Sequence, residues 1–245
     1  MTPTDSDWSE RPDFAVLHPL LKGAECVLFD FDGPLCRLFA NHPAPKVGAR
    51  LKALVRARGH ELCPPDATDD PHEVLRALAA PGSGARPALV AEINAALTAE
   101  EITAARSAGA TPHAEGLVRD LVGMGVRIAI TTNNAPAAAR EYLNSSGLAG
   151  LFGPYVFGRE AERVEEMKPS PDCLDRAMRA LDMLPDACLM LGDSPSDVNA
   201  AKSANVRFIG YARTPHKATV LRAADADVVV SSLGYLREAL YTTPR

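Results

Sequence analysis

The sequence predicts an α/β fold, a parallel sheet with helices on both faces, interrupted by one inserted helical block. Three observations carry this. Short apolar runs recur along the chain and each ends in a polar turn. Helical patterns lie between the runs, and such alternation argues for right-handed βαβ units. One stretch, residues 39–109, breaks the alternation and offers only helical patterns.

The elements follow in order. Residues 1–18 are polar with scattered hydrophobics and read as an N-terminal tail or docking arm. Cys26–Phe29 is an apolar run closed by Asp30-Phe31-Asp32-Gly33-Pro34, the pattern of a buried strand entering a tight turn. In the insert, Val47–Arg58, Pro71–Ala80, Pro87–Leu97 and Ala99–Ala108 read as helices, separated by breaks such as Pro64-Pro65 and Pro81-Gly82-Ser83-Gly84. Ala114–Met124 then places Leu117, Leu121 and Met124 on one face. Val126–Ile130 is a strand running into Thr131-Thr132-Asn133-Asn134, with Asn134 placed to cap a helix over Pro136–Leu143. Ser170-Pro171 opens a helix to about Leu181. Strands at Cys188–Leu191, Val206–Ile209 and Val228–Val230 alternate with helices at Ser196–Ser203, Lys217–Ala223 and Leu233–Tyr241. The resulting division is a tail (1–18), a core (19–38 and 110–245) and an inserted helical domain (39–109).

Composition narrows the function. With 245 residues, 47% hydrophobic and 23% charged, the chain is an ordinary globular protein that needs no disulfide or metal staple to fold. A net charge of −5 and a pI near 5.7 argue against a nucleic-acid binder. No window approaches the ~20 apolar residues of a membrane span. The acidic N-terminus lacks the features of a signal peptide. Five scattered cysteines without a C-x-x-C suggest reduced thiols and a cytoplasmic protein. Cys36, close to the first turn, reads as a small packed residue rather than a nucleophile.

In an open parallel sheet, ligands bind beyond the carboxyl ends of the strands. Three polar clusters fall at such ends: Asp30 and Asp32, Thr132 and Asn133, and Asp193 and Asp197. Lys168, one of only six lysines, stands just before a helix opening. Four gathered carboxylates repel one another, and a hard divalent cation relieves this; oxygen donors suit Mg²⁺, which favours substrate phosphate as a partner. Amides of the loop over Asp30, Phe31, Asp32 and Gly33 are placed to receive phosphate oxygens. Thr132, Asn133 and Lys168 add a hydroxyl, an amide and a point charge. One aspartate would then attack phosphorus while another moves protons. Phe31, between two aspartates, should point away from them.

VLFDFDGPL (Val27–Leu35), followed by IAITTN, MKPSPDCL and LMLGDSPSDV, resembles the haloacid dehalogenase superfamily, with all four motifs in order. The insert matches the helical cap of its phosphoglycolate-phosphatase-like branch. The resemblance covers about residues 24–38 and 110–240 and implies a Rossmann-like sheet. It implies a Mg²⁺-dependent phosphomonoester hydrolase acting on a small phosphorylated metabolite through an aspartyl-phosphate. It makes Asp30 the nucleophile and a metal ligand, and Asp32 the general acid/base with its carbonyl on the metal. Thr132 and Lys168 bind the phosphoryl group, with Thr131 the fallback for Thr132. Asp193 is a metal ligand and Asp197 supports the metal directly or through water.

Pro34 departs from the Thr or Val usual in this superfamily and offers no amide hydrogen. Rival readings are a phosphomutase, a phosphonate hydrolase using a cap lysine (Lys46 or Lys52) and a catalytically silent regulator. Halide release is disfavoured by Asp32. Arg37, His42, Lys46, Arg50 and Arg86 are the cap-side candidates for meeting an anionic substrate, and His113 reads as a turn or packing residue. The expected partner is a small metabolite, neither nucleic acid nor membrane, with a monomer or homodimer as the assembly.

Overall fold

The structure, a computed structural model, describes residues 12–62 and 68–242. In chain order the elements are α1 (Phe14–Lys22), β1 (Cys26–Phe29), β2 (Cys36–Arg37), α2 (Ala44–Ala57), α3 (Pro71–Ala79), α4 (Pro87–Ala105), β3 (Gly109–Ala110) and α5 (Ala114–Gly123). They continue with β4 (Arg127–Thr131), α6 (Pro136–Ser146), α7 (Ala149–Phe152), β5 (Val156–Phe157) and α8 (Asp172–Leu181). The last are β6 (Cys188–Gly192), α9 (Pro195–Ser203), β7 (Arg207–Tyr211), α10 (Pro215–Ala223), β8 (Val228–Val230) and α11 (Leu233–Tyr241).

The main sheet runs β5-β4-β1-β6-β7-β8, and its neighbouring strands are all parallel. This is the α/β class expected. β1 lies at its middle, paired to β4 and β6 over Cys26–Phe29, so its carboxyl end is flanked by the ends of both neighbours. The side-chain period of two sends Val27 and Phe29 into a layer shared with α1, α5, α6 and α11. Cys26 and Leu28 enter the opposite layer with α8, α9 and α10. Residues buried on both faces explain why β1 reads as a continuous apolar run.

Between β1 and β4, helices α2, α3 and α4 gather Val47, Leu51, Val55, Val74, Leu75, Leu78, Ile93 and Leu97 into a third apolar cluster. Val164 and Met167, from the segment before Lys168, complete it.

Several expectations differ from the observed elements. Phe14–His18 was included in the tail, yet it begins α1: Asp13 caps it and Leu17 and Leu21 are buried in the core. Residues 1–11 of that tail, and the break at Pro64-Pro65, lie outside the described residues. The two helices expected at 87–97 and 99–108 are one, Pro87–Ala105, because no glycine or proline separates them; the Thr98 hydroxyl donates to the Asn94 carbonyl at 2.9 Å within it. α6 is capped at Ala135, not Asn134, and α8 begins after Pro171, one residue later than expected. Strands β2, β3 and β5 were not anticipated; two residues are too few to show a period.

Candidate active site

Asp30 follows β1 directly, held by its amide on the Leu191 carbonyl at 2.8 Å. The loop then turns at Gly33, whose φ of +127° lies where side chains are strained. A Cβ on Gly33 would also lie 2.4 Å from the Asp193 carboxylate, so glycine lets this loop close onto β6. Thr111 Oγ1 donates to the Gly33 carbonyl at 2.6 Å and pins the turn. Cys36 is buried in the core and burial pushes its thiol up, as suits a packed residue.

Lys168 is almost wholly buried. Its Nζ donates to Asp30 Oδ1 at 2.8 Å and the Thr131 carbonyl at 2.9 Å, and lies 2.5 Å from Asp197 Oδ1. Burial opposes its charge, but Asp197 and Asp30 outweigh that and hold it well above the usual lysine range. Its backbone is fixed by Asn133, which accepts the Lys168 amide at 2.7 Å and donates to its carbonyl at 3.1 Å. The Asn133 side chain is therefore committed to placing Lys168. Thr132 Oγ1 accepts the Asn134 amide at 3.1 Å and lines the same cavity as Asp30. The cavity-lining threonine is thus Thr132; Thr131 Oγ1 is buried without a partner.

Asp197 opens α9 in a capping box. Its Oδ2 accepts the amides of Asp193 and Ser194, both at 3.0 Å, and the Ser194 hydroxyl at 2.8 Å. One oxygen thus shapes the turn while the other faces Lys168. Asp193 is paired with Lys217 from the first turn of α10.

Asp30, Asp193 and Asp197 are all buried, and one carboxylate oxygen of each lies within 4.8 Å of the others. Burial, with neighbouring carboxylates adding to it, pushes Asp30 up to about 7 against the pull of Lys168. Burial likewise pushes Asp193 up to about 6, opposed by Lys217. Burial makes these acids resist ionisation even beside Lys168 and Lys217, and their donors are all hard oxygens. The set fits a small divalent cation of the magnesium type. Asp32 stands apart from this triad: its Oδ1 accepts the Leu38 amide at 2.8 Å, and burial pushes it up to about 6. Phe31 points into the core and meets the Tyr142 ring edge-on at 5.6 Å, as alternation required.

Above these groups lies a cavity of about 220 Å³ lined by Asp30, Asp32, Thr132, Asn133, Lys168 and Asp197 from the core side. The cap lines it with Phe39, Ala44 and Asp70–Glu73. None of the cap-side cations singled out from the sequence lines it. His42 and Arg50 instead pair with Glu100. His113 takes a left-handed φ of 67° before α5, a turn role. His72 and Lys217 are the site neighbours that sequence reasoning missed; neither stands in a recognisable motif.

A parallel sheet carrying carboxylates and a hydroxyl at its central strand ends, with a buried lysine set among them from the segment before α8, defines a hydrolase of the haloacid dehalogenase-like kind. The chain belongs to that family: the family model for haloacid dehalogenase-like hydrolases matches residues 24–205. It is 32% identical over 200 residues to phosphoglycolate phosphatase of Cereibacter sphaeroides, covering 77% of this chain and 87% of that protein. Its fold is similar to that of CbbY from Rhodobacter sphaeroides in complex with phosphate, with a TM-score of 0.62 and 23% identity over 87% of this chain and 99% of the other. A HAD family hydrolase from Deinococcus radiodurans with bound phosphate and sodium gives 0.56 and 24%, covering 91% and 99%. Among the described residues, no helix is long and apolar enough to cross a membrane.

Proposed function

We propose that this chain is a Mg²⁺-dependent phosphomonoester hydrolase of a small metabolite that works through an aspartyl-phosphate on Asp30. The observation that supports the reading is Lys168 Nζ, held between Asp30 and Asp197 at the floor of a cavity that would admit a compact phosphate ester.

Asp30 and Asp193 would hold the ion through their side chains and Asp32 through its carbonyl, with Asp197 fixing the turn that presents Asp193. Bound there, Mg²⁺ supplies positive charge against the clustered carboxylates and the substrate phosphate. Lys168 and Thr132 then hold the phosphoryl oxygens. A carboxylate oxygen of Asp30 forms a bond to phosphorus as the bond to the leaving oxygen breaks. Asp32 gives that oxygen its proton, a task suited to a carboxyl whose burial holds it near 6. Asp32 next takes a proton from water, which attacks phosphorus and frees Asp30.

The phosphonate route requires a cap lysine at the cavity. Lys52 is paired with Asp69 at 2.6 Å, and neither Lys46 nor Lys52 lines the cavity. Asp30→Asn tests the reading. Turnover of p-nitrophenyl phosphate is expected to fall by about a thousandfold or more with the fold intact by circular dichroism. EDTA is expected to silence the wild type. Undiminished turnover in the variant overturns the mechanism.

A further inference from the structure

The cap wall of the cavity selects a class of leaving group, given the phosphatase reading above. Among the described residues, the ionisable side chains that the cap brings to this cavity are Asp70, His72 and Glu73, at the start of α3.

A helix start would ordinarily welcome an anion. Here it is filled from within. Asp70 Oδ1 accepts the His72 amide at 2.8 Å and the Glu73 amide at 3.3 Å. Arg76, the nearest guanidinium on α3, is taken by the Glu73 carboxylate and by the Lys168 carbonyl at 2.6 Å. Lys168 itself is held by two aspartates.

His72 is fixed from behind. Its Nε2 lies 3.0 Å from Oε1 of the fully buried Glu101. Burial opposes the Glu101 charge, yet Arg159 and His72 hold that carboxyl down at about 2. An ionised carboxylate only accepts, so the contact assigns the proton to Nε2. Nδ1, the other ring nitrogen, lies 3.7 Å from Asp70 Oδ1 and makes no hydrogen bond there. The wall therefore presents an imidazole, fixed by Glu101, beside the carboxylates of Asp70 and Glu73. It meets hydroxyl or ammonium hydrogens well and opposes a second negative charge.

We propose that this wall, with His72 as the specificity-determining residue, selects small phosphomonoesters whose leaving alcohol carries hydroxyl or ammonium donors, and disfavours those carrying a carboxylate. This separates the chain from the phosphoglycolate named for its relatives, whose leaving group bears a carboxylate.

The test uses the full-length enzyme with Mg²⁺ and two matched pairs: glycerophosphate against phosphoglycerate, and phosphoethanolamine against phosphoglycolate. The carboxylate-free member of each pair is expected to have the higher kcat/KM by about tenfold or more. His72→Ala is expected to cut that ratio to within about threefold, and His72→Gln, which keeps an acceptor, to restore part of it. Asp70→Asn keeps the helix cap while removing its charge, and is expected to raise kcat/KM for the carboxylate-bearing members several-fold. A wild type that prefers the carboxylate-bearing members, or ratios unmoved by all three variants, overturns the proposal and leaves the phosphatase reading standing. No turnover of any ester, p-nitrophenyl phosphate included, overturns both.

Discussion

Arg159→Met is expected to destabilise the protein by about 3–5 kcal/mol, the cost of breaking a buried ion pair by removing one partner. The side chains of Arg159 and Glu101 are 1% and 0% exposed. From the loop after β5, Arg159 grips one face of α4. Its Nε donates to Asn94 at 2.6 Å, and its two terminal nitrogens donate to Glu101, both at 2.9 Å, with a further bond to Thr98 at 3.2 Å. It also donates to the Asn133 carbonyl at 2.7 Å, next to Thr132 of the cavity. Methionine fills much of the space but satisfies none of these acceptors. Glu101 would keep only His72, Asn134 and the Ala135 amide.

In the wild type the folded-state value near 2 lies below the ordinary one, so Glu101 contributes stability above the usual carboxylate range, lost as pH falls toward 2. In the variant, burial without Arg159 pushes the value up, so the loss should be larger at about pH 7 than at about pH 5. Urea unfolding followed by circular dichroism at both pH values measures this. Adding Glu101→Gln is expected to recover more than half of the loss. A loss below about 1 kcal/mol, or one that neither pH nor the second substitution changes, refutes the reasoning.

Two further outcomes follow from the site. Gly33→Ala places a methyl group against the Asp193 carboxylate at a positive φ, so Mg²⁺ affinity by calorimetry should drop at least tenfold and turnover with it. Without metal, Asp30, Asp32 and Asp193 have folded-state values raised above the unfolded ones, so their penalty is absent below about pH 4 and complete above about pH 7. The metal-free Tm should therefore fall as pH rises across that window, and Mg²⁺ should raise Tm more at its upper end; a flat profile would contradict the crowded-carboxylate account.

The sequence made one side of the cavity legible and left the other dark. Asp30, Thr132 and Asp193 each end or follow an apolar strand run, and strand ends in a parallel sheet converge by geometry. Lys168 was readable from its motif, though its partners were not. The cap wall had no such rule. Arg37, His42, Lys46, Arg50 and Arg86 stand out in the sequence as cations able to meet an anionic substrate, yet the cavity is met by His72, made distinctive by Glu101, 29 residues away. The grip of Arg159 on Glu101 spans 58 residues, and neither residue stands in a periodic pattern. Lys217 reaches Asp193 across β7, a contact that only the sheet order creates. Strands of two residues escaped notice because pairing, not composition, defines them.

Met167 and Val164 sit in the apolar cluster of the cap helices, and Arg76 of α3 holds the Lys168 carbonyl. Lys168, the proposed phosphoryl-binding lysine, is thus anchored to the α2–α4 helices as well as to the sheet side. On the proposed mechanism, any outward movement of these helices would strain the mooring of Lys168, coupling substrate entry to the grip on the phosphoryl group.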